Sequence, residues 1–138
     1  MDKAREEKIR YAVEELIGKG NLKVIAETFA VDYVGHAGDK KYSGHSFIKK
    51  IITQLREALP DIRVVEVKFL AQDSNTITWQ RSLEGTNKVE MHGIPPSGKK
   101  VTWVDMIVSR FHNEKIAEEW VVSELMGELL LKVPQSQK

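Results

Sequence analysis

Near the start of the chain, apolar residues recur at helical spacing (Ile9, Val13, Leu16, Ile17), while Lys3, Arg5, Glu6, Glu7, Arg10 and Glu14 take the other face. Such a stripe predicts an amphipathic helix. Gly18 and Gly20 are expected to end it, because glycine enters the left-handed cap conformation without a Cβ penalty. Asn21 is a suitable N-cap for a short second helix carrying Leu22, Ile25 and Phe29. VDYVGH (31–36) reads as a short strand. Residues 37–42, with a glycine, Asp39 and two lysines, read as an exposed loop. Ser43 is placed to cap a third helix. Phe47, Ile48, Ile51, Ile52, Leu55 and Leu59 share one of its faces until Pro60 stops it.

Beyond Pro60 the period falls to about two. IRVVEVKFLAQ is strand-like, with Val65, Val67 and Phe69 on one face, and Asp73, Ser74 and Asn75 form a turn. TITWQRSLEG is a second strand and NKVEMHG a candidate third. IPPSGKK (94–100) is a loop, since two prolines and a glycine exclude a central strand. VTWVDMIVSRF and KIAEEWVV are two more strands, joined by HNEK, which has the length of a hairpin loop. SELMGELLLKV is either a short helix or an edge segment, and PQSQK a frayed tail. Gly85, Gly93 and Gly98 read as turn glycines. Helices first and strands last is the α+β pattern, with helices collected on one side of a largely antiparallel sheet. No repeat or linker-like stretch interrupts it, so residues 1–138 are expected to form a single domain.

Composition narrows the function classes. With 41% hydrophobic residues, 138 residues suffice for a real core. Lys and Arg number 21 against 20 Asp and Glu, a formal net charge of +1, which lacks the basic footprint of a nucleic-acid partner. The absence of cysteine excludes disulfides, thiolate zinc sites and cysteine nucleophiles. The N-terminus has no signal-like apolar core, and no apolar run approaches the ~20 residues of a membrane helix. A cytoplasmic protein with no membrane partner is the expectation. No phosphate loop or dinucleotide fingerprint occurs, and His36, His45, His92 and His112 lack ligand spacing, so neither cofactor nor metal is expected.

The candidate chemistry lies on the late strands. Alternation puts Val101, Trp103, Asp105, Ile107 and Phe111 on one face, where Asp105 is the anomaly. A lone buried carboxylate costs several kcal/mol unless it is paired or takes up a proton. On KIAEEWVV, Ala117, Glu119 and Val121 share one face, and Ile116, Glu118, Trp120 and Val122 the other. If HNEK is the hairpin centre, Asp105 and Glu119 become cross-strand or diagonal neighbours. Two carboxylates close together in a dry cavity raise one pKa, which suits proton transfer near neutrality. The bland reading is that Asp105 pairs with an arginine and Glu119 is solvated. His36 ends a strand at a pocket mouth, either as a proton carrier or structurally, and His92 borders the same mouth. His45 opens a helix, where capping or solvation explains it, and His112 lies exposed in the turn. Trp79 and Arg81 alternate with Ile77 and Leu83. The arginine either neutralises an acid or holds a ligand oxygen. Trp79, Trp103 and Trp120 are core or ligand platforms.

NLKVIAETFAVDYVGH, SGHSFIKKIITQLREALPDIRVVEVKFLAQ, LEGT, HGIPPSGKKVTW and EKIAEEW together resemble the SnoaL-like polyketide cyclase family, within the nuclear transport factor 2-like superfamily. The resemblance runs from about residue 21 to residue 130. GIPPSGK and the E-x-W pattern at Glu118–Trp120 are its most specific parts. It implies a cone-shaped α+β fold whose curved sheet wraps helices around one apolar pocket. It also implies aldol ring closure without metal or cofactor, with an acidic side chain as base. Where such cyclases carry a His and an Asp on the last two strands, this chain carries Asp105 and Glu119. One fold hosts many activities, so two readings follow. In the first, Asp105 or Glu119 abstracts a proton α to a carbonyl, the other acid or His36 donates to the enolate oxygen, and Trp79, Arg81, Trp103 and His92 bind the substrate. In the second, the domain only binds a small apolar molecule, or serves as an accessory module. Both expect a homodimer.

Overall fold

The computed structural model describes residues 2–133. Asp2 starts helix α1 (Lys3–Ala12) by accepting from the Arg5 amide, one of the donors a helix start leaves unpaired. The helix runs on as a π-helical turn, Val13–Gly18. Arg56 closes it, donating to the Ile17 and Gly18 carbonyls at 2.5 and 3.1 Å. Gly20 takes the left-handed conformation (φ 71°), whereas Gly18 stays inside the helical turn. Asn21 caps a 3-10 turn, Leu22–Val24, that passes into α2 (Ile25–Thr28). Phe29, expected on that helix, opens β1 (Phe29–Ala37) instead.

Residues 37–42 are not a plain loop. They fold back as a hairpin in which β2 (Lys40–Ser43) pairs antiparallel with β1. Ser43 therefore ends a strand rather than capping α3 (His45–Ala58). Gly44 (φ 87°) occupies the cap position without any side-chain bond. His45 secures the helix start, its Nε2–H lying 3.0 and 2.9 Å from the Phe29 and Ala30 carbonyl oxygens. Neither capping nor solvation explains this histidine. Ile48, Ile52, Leu55 and Ala58 form the buried face of α3, while Ile51 is 40% exposed.

Six strands form one curved sheet in the order β2-β1-β6-β5-β4-β3, where β3 is Arg63–Gln72, β4 Thr76–Thr86, β5 Lys100–His112 and β6 Lys115–Ser123. All neighbours are antiparallel except β1 and β6. β3 departs from simple alternation, because its pairing shifts at Val65 and at Leu70. Each extra residue inverts which side chains face the core. Val64, Val67 and Phe69 pack against the core, whereas Val65 is 44% exposed and drops out of the expected face. NKVEMHG is not a strand: apart from an isolated bridge between Met91 and Ile94, residues 87–99 form a loop. Gly85 is a strand residue of β4, not a turn. HNEK tightens to Asn113 and Glu114, both with positive φ (49° and 62°), as a two-residue hairpin turn requires. The tail segment is helix α4 (Leu125–Lys132), and the PQSQK expectation lies outside the described residues. Trp79, Leu83, Trp103, Ile107 and Phe111 from the inner sheet face share a core with α1, the π turn and α3. Among the described residues no helix is long and apolar enough to cross a membrane.

Candidate functional site

Between the inner sheet face and the helices lies a cavity of about 350 Å³, lined by apolar side chains such as Leu16, Phe47, Ile52, Trp103 and Val121. Tyr33, Arg81, Asp105 and Glu119 bring polar chemistry into it.

β6 places Glu119 opposite Ser109 of β5 and Gly35 of β1. Ser109 donates its hydroxyl to Glu119 Oε2 at 2.5 Å. Trp79 Nε1–H donates to the same serine oxygen at 2.9 Å, which turns the serine proton toward the acid. Tyr33 donates its hydroxyl to Glu119 Oε1 at 2.9 Å. Gly35 makes that reach possible, since a Cβ there would lie 3.1 Å from the Tyr33 oxygen. Glu119 as a whole keeps some exposed surface, but its carboxylate is enclosed. Burial pushes that carboxyl above its ordinary value, and the bonds from Ser109 and Tyr33 and the Arg81 charge do not cancel the effect. Burial, then the Glu119 charge, raises the Tyr33 phenol as well, so Tyr33 stays a donor.

Asp105 precedes Ser109 by four residues on β5 and faces Arg81 of β4 and Ser123 of β6. Arg81 Nε–H donates to Asp105 Oδ2 at 2.8 Å, the two side chains being 21% and 5% exposed. Asp105 Oδ1 is buried, and among the described residues no group hydrogen-bonds to it. The expected contact between the two acids does not occur. They share the inner face, but the register separates them by about 13 Å along the strands. The tight turn at Asn113 and Glu114 sets the first pairs of the hairpin, and one extra residue of β6, Ala117, between the Phe111–Ile116 and Arg110–Glu118 pairs then shifts the register by one, matching Glu119 with Ser109 rather than with Asp105. Burial, not a second carboxylate, is thus the main cause of the raised Glu119 pKa.

His36 borders the cavity, but its imidazole belongs to the outer face. It stacks on Trp120, with ring centres 5.1 Å apart, and its Nε2 lies 2.6 Å from Glu118 Oε2. Glu118 and Trp120 flank Glu119 in β6 and so point the opposite way. The His36 bond, supported by Arg110 at 3.0 Å, holds the Glu118 carboxyl below its ordinary value. The structure therefore brings Trp79, Arg81, Trp103, Asp105 and Glu119 to one cavity, with His92 at its edge, and leaves the His36 ring outside. Trp120 and His112 are exposed. Tyr33, Gly35 and Ser109 escaped the sequence reading. For Ser109 a signal existed, a hydroxyl at an inward position of β5 between Ile107 and Phe111. Among the described residues no group of three or more His, Asp or Glu side chains is arranged to hold a metal ion.

The model of the SnoaL-like polyketide cyclases matches residues 7–130. The chain belongs to the SnoaL-like polyketide cyclase family. The match starts earlier than the resemblance did and takes in α1, which lines the cavity through Ile9 and Ala12. Solved structures with the same fold include AclR of Streptomyces galilaeus, described as a candidate hydroxylase. It is 25% identical, with a TM-score of 0.80 over 100% of this chain and 87% of that one. A candidate SnoaL-like polyketide cyclase from Jannaschia sp. CCS1 is 20% identical, with a TM-score of 0.82 over 95% and 93%. An NTF2-like protein of Anabaena variabilis is 12% identical, with a TM-score of 0.71 over 88% and 87%. None of the curated proteins matches the chain significantly. This SnoaL-like chain thus has the nuclear transport factor 2-like α+β architecture that its residues led us to expect.

Proposed function

We propose that this SnoaL-like protein performs cofactor-free acid/base catalysis, an aldol cyclisation or an isomerisation, on a small, largely apolar carbonyl compound held in the cavity. The supporting observation is Glu119, a desolvated carboxyl with a raised pKa, oriented by two O–H donors beside apolar walls. A carboxylate lifted toward neutrality is a stronger base than an exposed one. Glu119 takes the proton α to the carbonyl, and Arg81, whose charge is felt at Glu119, stabilises the enolate oxygen. The proton then passes from Glu119 to carbon in an isomerisation, or to the new alkoxide in an aldol closure. Trp79 and Trp103 form the walls, His92 the rim, and Asp105 holds Arg81 in place.

The rival reading, a non-catalytic binding module, draws support from the Arg81–Asp105 ion pair, a buried polar contact that can serve the packing of the sheet without any turnover. Proton exchange separates the two without knowledge of the substrate. Acetylnaphthalene in deuterated buffer, followed by NMR, is expected to exchange its methyl protons faster with protein present. Glu119→Gln is expected to remove roughly a hundred- to ten-thousand-fold of that acceleration. Equal exchange by both proteins would remove Glu119 as the base and leave the binding module standing. As in the sequence reading, we take the working unit to be a homodimer.

A further inference from the structure

Ser109 is fully buried on the inward side of β5, between Ile107 and Phe111. A hydroxyl at such a place is costly unless it is bonded, whereas a methyl group would carry no such cost. Its oxygen accepts from the Trp79 indole N–H, a group that only donates. The serine proton is therefore turned away from Trp79, and among the described residues Glu119 Oε2 is the acceptor that it meets. A neutral carboxyl oxygen accepts such a bond more weakly than a carboxylate does, so the arrangement favours the ionised acid. That matters in an apolar cavity, where burial favours the neutral form and a neutral acid cannot take a proton.

We infer that Ser109, oriented by Trp79, is a positioning residue that keeps Glu119 in the carboxylate form, ready to take a proton. The inference rests on Glu119 being the base, as proposed above. Burial lifts the Glu119 carboxyl, and the Ser109 bond is the largest influence opposing it, ahead of the Tyr33 bond and the Arg81 charge. A carboxylate offers about four lone-pair sites. Ser109 and Tyr33 each occupy one, on different oxygens, which leaves sites on both oxygens to receive a substrate proton. The other ionisable groups in the cavity wall are Tyr33 of β1, Tyr42 of β2, Arg81 of β4, Asp105 of β5 and His92 of the loop, while α1, the π turn, α3 and α4 line it with uncharged side chains. Trp79 thus serves the base as well as the wall.

Two pH series on the intact protein test this: the acetylnaphthalene exchange rate, and the carboxyl carbon resonance of Glu119 in protein with labelled glutamate, assigned by its absence from Glu119→Gln. Ser109→Ala is expected to move both midpoints upward by roughly one to two pH units. Its exchange is then slower than that of the wild type on the acid side. It is equal or faster once both proteins are ionised, because the less acidic carboxyl is the stronger base. A merely structural serine would instead slow exchange by one factor at every pH and leave the carbon midpoint in place. That result overturns the inference, as does a downward move of the midpoint. Should Ser109→Ala fail to fold, Trp79→Phe keeps an aromatic ring and removes the N–H. It is expected to move the carbon midpoint upward by less, and an unmoved midpoint overturns the inference. If the wild type exchanges no protons, the catalytic reading falls while the carbon midpoints still decide the role of Ser109, so the two failures are distinguishable.

Discussion

Two adjacent acids of β6 show how much a single position decides. Glu119 points into the cavity and its pKa is raised by burial, whereas Glu118 points outward and its pKa is lowered chiefly by the His36 bond. For Glu119 the folded pKa exceeds the unfolded one. Its contribution to stability is complete below the ordinary value of 4.5 and is lost as pH rises through the folded pKa. Glu119→Gln is therefore expected to melt above the wild type at about pH 8, with the gap closing toward about pH 4. Thermal melts across pH check this, and a variant melting below the wild type throughout would mean that the Ser109 and Tyr33 bonds outweigh the burial cost. Glu118 has the opposite sign: it adds stability above 4.5 that disappears as pH falls through its depressed value. Glu118→Gln is accordingly expected to lower the melting temperature near neutrality and to match the wild type in acid. The inward direction of Asp105 and Glu119 was legible, because alternation alone sets the face of a strand. Their partners were not. Tyr33 meets Glu119 across 86 residues of chain, and no local pattern records such a contact.

At the scale of elements, the periods of 3.6 and 2 identified the long helices and the four late strands, and Asn21 marked its cap correctly. What failed were positions where one residue changes the local rule. One extra residue in β3, at Val65, put Val64 rather than Val65 on the core side. A loop-like composition at 37–42 concealed a short hairpin whose strand residues, Lys40 and Lys41, are exposed. Gly85 looked like punctuation, but it is a packing residue. A Cβ there would come within 3.0 Å of Leu59 Cβ and 3.2 Å of Ile62 Cα, where the chain from α3 closes onto β4. The Ile62 contact is backbone, so the crowding cannot be relieved by a side-chain rotation. Gly85→Val is expected to cost roughly 1–3 kcal/mol, read as a lower urea midpoint. An unchanged midpoint would show that the α3–β3 connection shifts freely. Because Gly85 lies outside the cavity lining, binding of acetylnaphthalene by the folded variant should survive.

For the whole molecule, the sheet has one face committed to the core and cavity, and the other carries apolar surface that the described chain leaves uncovered. Met106 and Val122 pair across β5 and β6, next to Val108 and Trp120, and the first two and Trp120 are 39%, 72% and 40% exposed. Beside them, Glu118 is matched by Arg110 and His36, so this region presents little unbalanced charge to an approaching surface. Such a patch can meet its own copy about a two-fold axis, where each residue faces an equivalent patch. This supports the homodimer, and it separates assembly from chemistry, because Val122 and Met106 point away from the cavity that Val121 and Asp105 line. Val122→Lys places a cation on each side of the axis in surroundings where desolvation makes like charges costly. Native mass spectrometry at micromolar concentration is expected to show a dimer for the wild type and a monomer for Val122→Lys, with the affinity for acetylnaphthalene unchanged. A wild-type monomer would remove the dimer and leave the cavity argument intact. A monomeric variant that also loses its ligands would show instead that the second copy braces β6, tying the position of Glu119 to assembly.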